Sequence, residues 1–211
     1  MLVWLLGRFS TVSYTHLQGI ALFDNGNIAV SDAGNHVIWT VNPNTKVVAL
    51  LTGKLGVSGS TLGSSNFAKL YQPHQLARSG GNLLVVADTG NNRIVTVTSA
   101  GSITNVLNST NASIWFGQTG DPVGSGSSRF VQMVSPIGVA VSGAGNVFDS
   151  ETYYDDIRGF TGLLNPPDAT PIITLPYFNN PAGIAYISSS PVSDDPTLFI
   201  ADAANNAVRC V

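Results

Sequence analysis

Four acidic residues recur along the chain in the same local setting. Asp32, Asp88, Glu151 and Asp202 each end a short apolar run, and successive acids are separated by 56, 63 and 51 residues. A carboxylate at such a place can bind a cation, or it can accept hydrogen bonds from the amides of a following turn. Because Asp and Asn are common turn formers, we interpret the four acids as structural turn residues.

The other reactive side chains do not form an obvious catalytic set. Asp155-Asp156 and Asp194-Asp195 are carboxylate pairs, but a pair that works as acid and base needs two contrasting environments. The sequence contains no Gly-x-Ser-x-Gly elbow, no Walker-type phosphate loop and no His-Glu-x-x-His motif. We therefore predict no catalytic residue.

Short β-strands are the elements expected to position these residues. The strands of the second repeat are predicted at Gln75–Arg78, Leu83–Ala87, Arg93–Thr98 and Ile103–Leu107. They are rich in β-branched and apolar residues and are separated by Gly- and Asn-containing turns. Because similar runs recur four times, the sequence predicts an all-β protein built from repeated units.

The stretch Asp88-Thr89-Gly90-Asn91-Asn92-Arg93-Ile94 and its counterparts resemble the NHL repeat of β-propellers, over about four fifths of the chain. The third repeat departs from this pattern, because Tyr153-Tyr154-Asp155-Asp156 stands where Gly-Asn-Asn-Arg is expected. The resemblance implies a β-propeller of four-stranded antiparallel blades in a single domain, residues 1–211. The blades are expected at about 15–53, 71–107, 133–175, and 179–211 together with 1–7.

The blade number is left open by this pattern. NHL propellers usually have six blades and about four are counted here, so the chain is either a small ring or part of a larger one. The last blade stops at Val211, after its third strand. We expect the apolar segment Leu2–Leu6 to complete that blade as its outer strand, since this pairing would cover an open sheet edge.

The antiparallel strand order places the turns after the recurring acids, the starts of the first strands and the long connections on one surface, the loop-rich face. Loops on a rigid scaffold often bind ligands, and exposed aromatic rings suit a protein, peptide or glycan partner. Trp115 and Phe116 could instead pack beneath their own loop. The predicted function is a non-catalytic interaction scaffold, with binding residues His74, Trp115, Phe116, Tyr153, Tyr154, Asp155 and Asp156.

The resemblance also implies an enzymatic alternative, a metal-assisted hydrolase or lyase. Similar amidating lyases bind zinc through histidines in Pro-His motifs, of which only Pro73-His74-Gln75-Leu76 is present; Gln18, Ile137 and Ala182 occupy the equivalent positions. Gluconolactonase-like propellers bind calcium through Glu, Asn and Asp, and here Glu151 is the residue to examine. We predict neither a bound metal nor a cofactor.

Composition narrows the range of partners. Charged residues make up 10% of the chain, the net charge is −3, and no basic cluster is present, so we predict no nucleic-acid partner. The apolar run Met1–Leu6 is too short to span a bilayer, and we predict no membrane span. Cys210 is the only cysteine, which excludes an internal disulfide.

Two sequence patterns bear on the compartment. Asn108 and Asn111 each begin an Asn-x-Ser/Thr pattern and are candidate N-glycosylation sites. They favour an extracellular or secretory origin. The sequence leaves the oligomeric state open.

Overall fold

A computed structural model describes residues 16–108, 133–160, 171–175, 177–188 and 196–211. These residues form β-strands joined by turns, with short 3-10 helices at Thr89–Asn91 and Ala203–Asn205 and no α-helix among them. The all-β class is confirmed. The strands are β1 (Leu17–Leu22), β2 (Ile28–Asp32), β3 (Val37–Val41), β4 (Val48–Gly53), β5 (Pro73–Arg78), β6 (Leu83–Asp88), β7 (Arg93–Thr98), β8 (Ile103–Asn108), β9 (Pro136–Val141), β10 (Val147–Glu151), β11 (Asp156–Phe160), β12 (Pro171–Leu175), β13 (Pro181–Ser188), β14 (Pro196–Asp202) and β15 (Ala207–Cys210).

The strands form four sheets in chain order. The first sheet is β1-β2-β3-β4, the second β5-β6-β7-β8 and the third β9-β10-β11-β12, while the fourth has the three described strands β13-β14-β15. Each sheet is an antiparallel meander, because every pairing joins strands that follow each other in the chain. The strands predicted for the second repeat agree with β5–β8 to within two residues.

The chain divides into two compact units. One comprises Met1–Asn91 and Val95–Thr104, and the other comprises Asn92–Ile94 and Asn105–Val211. The first sheet lies in the first unit, and the fourth lies in the second. The single domain predicted over residues 1–211 stays a prediction. Among the residues that are described, no helix is long and apolar enough to cross a membrane.

In the second unit, apolar side chains join the third and fourth sheets. Phe148 and Ile157 from one face of the third sheet pack with Ile184, Leu198 and Ile200 from the fourth. These residues alternate along their strands with residues that point to the opposite faces, as the pleat of a β-strand requires. One face of the third sheet therefore packs against one face of the fourth sheet.

Close backbone contacts join consecutive sheets at their first strands. A Cβ atom on Gly19 of β1 would lie 2.5 Å from the carbonyl oxygen of His74 in β5, so this approach requires glycine. The hydroxyl of Ser31 donates to the same carbonyl at 2.5 Å. The corresponding Ser150 of the third sheet donates to the carbonyl of Ala182 in β13. The same contact is thus used in both units.

Candidate functional site

The four recurring acids end the second strand of their sheets, and all four are buried. In three sheets the carboxylate accepts a hydrogen bond from the amide of a residue just before the first strand. These bonds run from Tyr71 to Asp88 at 2.7 Å, from Val134 to Glu151 at 3.1 Å, and from Asn179 to Asp202 at 2.7 Å. Each of these three acids therefore ties the incoming chain to the end of the second strand.

The turns after these acids share a second contact. Asn35, Asn91 and Asn205 each lie three residues after an acid, and their side-chain amides donate to it at 2.9, 2.8 and 2.9 Å. In the third sheet Tyr154 occupies this position and no such bond is available. The stabilising role of the acids stays a prediction, which these contacts support.

The residue four positions after each acid has a left-handed backbone. The φ angles are 62° at His36, 52° at Asn92, 56° at Asp155 and 51° at Asn206. The third turn therefore keeps the backbone of the others although its sequence departs from theirs. Asp155 also accepts a hydrogen bond from the amide of Asn180 at 2.6 Å, which ties this turn to the start of β13.

The third sheet holds four ionisable side chains on one face, which we call the carboxyl cluster: Asp149, Glu151, Asp156 and Arg158. The strand register places Asp149 opposite Arg158 and Glu151 opposite Asp156. Arg158 donates to Glu151 at 2.7 Å and to Asp156 at 3.2 Å. All four residues are buried. Neither carboxylate oxygen of Asp149 accepts a hydrogen bond from a described residue.

Burial dominates the electrostatics of this cluster. It raises the pKa of Asp149 to about 7 and that of Glu151 to about 9, and repulsion between the two carboxylates adds to the effect on Glu151. Burial also raises the pKa of Asp156 against the attraction of Arg158. One guanidinium cannot neutralise three carboxylates, so the cluster retains a proton near neutral pH.

Exposed tyrosines lie at the end of the third and fourth sheets where these turns gather. Tyr153 is 70% exposed and Tyr177 is 73% exposed, while Tyr154 is 39% exposed. The rings of Tyr153 and Tyr154 meet edge to face at 5.1 Å, and the Tyr154 ring covers the guanidinium of Arg158 at 5.1 Å. We call Tyr153, Tyr154 and Tyr177 the tyrosine face. Tyr154 connects this face to the buried carboxyl cluster, and Tyr153 and Tyr177 offer aromatic surface to solvent.

His74 occupies a different setting, on β5 in the first unit. It is partly buried, and its Nδ1 atom has no hydrogen-bond partner among the described residues. Burial lowers its pKa, so the ring is neutral near pH 7. The structure groups Tyr153, Tyr154, Asp155 and Asp156 at one turn of the second unit, and His74 belongs to the first unit.

Several predicted residues cannot be placed. Trp115, Phe116, Asn111 and the segment Leu2–Leu6 lie outside the described residues, and Asn108 ends β8 without a described side chain. Among the side chains that are described, no three His, Cys, Asp or Glu are arranged to hold a metal ion together.

Sequence comparison identifies no relative: no family model matches the chain, and no curated protein matches it. Solved structures do match. A streptogramin B lyase structure aligns with a TM-score of 0.59 and 13% identity, over 95% of this chain and 53% of that chain. A chain of the nidogen/laminin complex aligns with a TM-score of 0.61 and 14% identity, over 92% and 60%. The chain therefore has a β-propeller fold built from antiparallel blades.

A third similar structure is a gluconolactonase from Xanthomonas campestris, with a TM-score of 0.53 and 15% identity over 87% of this chain and 57% of that chain. The chain thus spans between about half and three fifths of the length of these three solved chains. At such low identity the likeness shows the fold. The neighbours include enzymes and a component of a protein complex, so this fold is compatible with catalysis and with binding.

Sequence reasoning missed the carboxyl cluster. Taken one at a time, Asp149 and Arg158 look like ordinary polar strand residues. The alternation of side chains along a strand indicates the cluster, since Val147, Asp149 and Glu151 lie on the same face of β10. The repeat indicates it as well, because Asp149 stands two residues before its acid, where the first and second repeats have Val30 and Val86.

Proposed function

We propose that this chain is an NHL-type propeller that binds a polypeptide partner through the tyrosine face of its third and fourth sheets. The observation that carries the proposal is the exposure of Tyr153 and Tyr177 at one end of the second unit. Tyrosine is enriched at protein interfaces because it offers a large apolar surface with a polar tip and loses little conformational entropy on binding.

The base of this face is well fixed. The Tyr154 ring is held between Tyr153 and Arg158, and Arg158 is in turn held by two buried carboxylates. The turn that carries both tyrosines is tied to β13 by the bond from Asn180 to Asp155. A preorganised aromatic surface of this kind binds with a smaller entropic cost than a mobile loop.

A basic segment is the partner chemistry that fits best. Tyrosine rings attract Lys and Arg through cation–π contacts, as Tyr154 already does with Arg158. The net charge of −3 favours encounter with a positively charged partner. The nidogen/laminin neighbour, which is part of a protein complex, adds support by analogy. A glycan is the alternative ligand for the same aromatic surface, and an extracellular location agrees with either ligand.

The test is selection from a random peptide display library on the immobilised chain, with a glycan array run in parallel. We expect basic peptides to be enriched, and we expect Tyr153→Ser combined with Tyr177→Ser to weaken their binding about tenfold or more. Phe67→Ser is the matched control, since Phe67 is an equally exposed aromatic residue of the first unit. Equal loss in the control and the double variant, or binding of glycans alone, would contradict the proposal.

The metal-assisted hydrolase or lyase has less support. It would need several convergent ligands, and the described residues bring no such group together. The carboxyl cluster is buried beneath the Tyr154 ring and its nearest partners are protein groups. We therefore keep the binding function as the conclusion.

A further inference from the structure

Tyr177 has a backbone conformation that a bulky residue rarely adopts. Its φ angle is 79°, the largest among the described residues other than glycine that have a positive φ. In this left-handed region the Cβ atom crowds the backbone, so a large side chain is strained there and glycine is favoured. Residues held in this way concentrate at functional sites, where the surrounding structure maintains the strain.

The repeated plan of the sheets accounts for most of the other left-handed residues, but it does not account for Tyr177. Seven of them lie either four residues after a recurring acid or directly before the first strand of a sheet. They are His36, Gln72, Asn92, Ser135, Asp155, Asn180 and Asn206.

The counterpart of Tyr177 before β5 is Lys69, since each lies two residues before the amide that donates to a recurring acid. Lys69 does not have a positive φ. The strain at Tyr177 is therefore not part of the plan that the sheets share.

The residues that follow Tyr177 hold its backbone in place. Phe178 is buried in the apolar core of the second unit. The amide of Asn179 donates to Asp202 at 2.7 Å, and the carbonyl of Asn179 accepts a hydrogen bond from the amide of Ala204 at 3.0 Å. Because the chain is fixed immediately after Tyr177, the direction of its Cα–Cβ bond is fixed as well.

The ring that this backbone carries is the one with the fewest contacts in the tyrosine face. Tyr177 is 73% exposed, and neither a ring contact nor a side-chain hydrogen bond joins it to another described residue. The Tyr153 ring, in contrast, packs edge to face on Tyr154 at 5.1 Å. Tyr177 lies close to their turn, because Asn180 donates to Asp155 three residues further along the chain. The strain therefore gains no side-chain contact within the described part of the second unit.

We propose that Tyr177 is held in its strained backbone so that its ring is the main contact of the tyrosine face with the partner. The inference rests on the proposed function, because it needs a polypeptide on that face. A basic segment would place a lysine or arginine side chain over the Tyr177 ring. An aromatic side chain that is positioned before binding is the kind of residue that dominates an interface. Tyr153 and Tyr154 then form the supporting surface around this contact.

The binding experiment compares single variants of the two exposed tyrosines. The probe is the basic peptide most enriched in the display selection, labelled with fluorescein and titrated with each protein by fluorescence anisotropy. We expect Tyr177→Ala to weaken binding about tenfold or more, and Tyr153→Ala to weaken it less than Tyr177→Ala does. Tyr177→Phe should keep the affinity within about threefold of the unmodified chain, because it retains the ring.

A thermal unfolding experiment tests the strain without any peptide. Tyr177→Gly and Tyr177→Ala both lack the ring, but only glycine relieves the left-handed backbone. We expect Tyr177→Gly to melt about 2–4 °C above Tyr177→Ala, and to bind the peptide as weakly as Tyr177→Ala does.

Lys46 provides the matched control, since it is an exposed residue of the first unit with a φ angle of 62°. Lys46→Gly should likewise melt above Lys46→Ala, because the same kind of strain is relieved. Both Lys46 variants should bind the peptide like the unmodified chain.

The outcomes distinguish this inference from the proposed function. If no peptide is enriched, or if neither tyrosine variant weakens binding, the proposed function fails and this inference fails with it. If Tyr153→Ala weakens binding as much as Tyr177→Ala or more, the proposed function stands and the inference is overturned. Equal melting temperatures of Tyr177→Gly and Tyr177→Ala would also overturn it, because the ring would then be held without strain.

Discussion

The first and third sheets follow one backbone plan but fill one of their faces differently. In the first sheet Val30 lies opposite Trp39, and Asp32 lies opposite Val37. All four are buried, and the indole Nε1 of Trp39 donates to Asp32 at 3.3 Å. Asp32 is the only acid among these four residues. Its carboxylate accepts hydrogen bonds from the turn residue Asn35 and from the ring nitrogen of Trp39.

In the third sheet the same four positions hold the carboxyl cluster. Asp149 lies opposite Arg158, and Glu151 lies opposite Asp156. Valine, tryptophan and valine are replaced by aspartate, arginine and aspartate, while the strand pairing is unchanged. The fourth sheet is intermediate, because Arg209 pairs with Asp202 at 2.6 Å and no second carboxylate accompanies them among its described residues.

Comparing the two sheets shows which polar residues the fold requires and which are specific to the third sheet. The turn acid is common to the four sheets, and in three of them it accepts a hydrogen bond from the incoming chain. The additional charges of the third sheet are not required by the fold, because the first sheet forms without them. Buried ion networks rarely stabilise a protein more than apolar packing does, so we infer that the cluster is kept to hold Tyr154 and the tyrosine face in place.

The largest effect is expected from removing the one cation of the cluster. Arg158→Met leaves three buried carboxylates without a cation beside them, and we expect a loss of about 3–5 kcal/mol in the free energy of unfolding, measured by urea titration. Replacing the whole set by its first-sheet counterparts, Asp149→Val, Glu151→Asp, Asp156→Val and Arg158→Trp, should recover much of that stability. A small effect of Arg158→Met would show that the cluster is not buried as described.

A second prediction concerns pH. Burial raises the pKa of Asp149 from 3.8 to about 7 and that of Glu151 from 4.5 to about 9. Between about pH 4 and pH 9 the folded state therefore binds more protons than the unfolded state. Stability should therefore fall as the pH rises from about 4 to about 9. Asp149→Val should flatten this fall and raise stability at pH 8 by roughly 2–4 kcal/mol, at about 1.4 kcal/mol per pKa unit. Unfolding midpoints of both proteins across this pH range provide the measurement.

Much of the fold could be predicted from local pattern. The second repeat combines alternating apolar residues with Gly- and Asn-containing turns, and these features determine where β5 to β8 begin and end. The third turn was harder to predict, because Thr152-Tyr153-Tyr154-Asp155 contains neither Gly nor Asn. The backbone nevertheless keeps the left-handed residue, since aspartate tolerates that conformation and Asp155 gains the bond from Asn180.

The candidate site could be predicted only in part, for a physical reason. The tyrosines were identified because they interrupt a repeat. The carboxyl cluster depends on the register between β10 and β11, which brings Asp149 opposite Arg158, nine positions further along the chain.

The third prediction tests the feature that all sheets share. Asp88→Ala removes the acceptor of the Tyr71 amide and of the Asn91 side chain at a buried position. We expect a loss of about 1–3 kcal/mol, measured by urea titration, because a buried donor is left unsatisfied. Asp24→Ala is the control, since Asp24 accepts a hydrogen bond from the Asn82 amide and pairs with Arg78 at an exposed position, where water replaces the lost contacts and stability should change little. Equal effects of the two variants would contradict the turn role.

The smallest expected effect concerns the left-handed turn residue. It distinguishes the cost of backbone strain from the loss of a side-chain hydrogen bond. Asn92 and Asn206 occupy equivalent left-handed positions, with φ angles of 52° and 51°. The side chain of Asn92 accepts a bond from the amide of Ser135 at 2.8 Å, whereas the side chain of Asn206 makes none within the described part of the chain. Alanine at either position meets the same backbone strain, so Asn92→Ala should destabilise by about 0.5–1.5 kcal/mol more than Asn206→Ala.

Asn92→Gly relieves the backbone strain but does not restore the lost bond. Thermal unfolding at low protein concentration should therefore place its stability between that of Asn92→Ala and that of the unmodified chain. If the two alanine variants unfold alike, the bond from Ser135 contributes nothing, and the left-handed residue alone defines this turn.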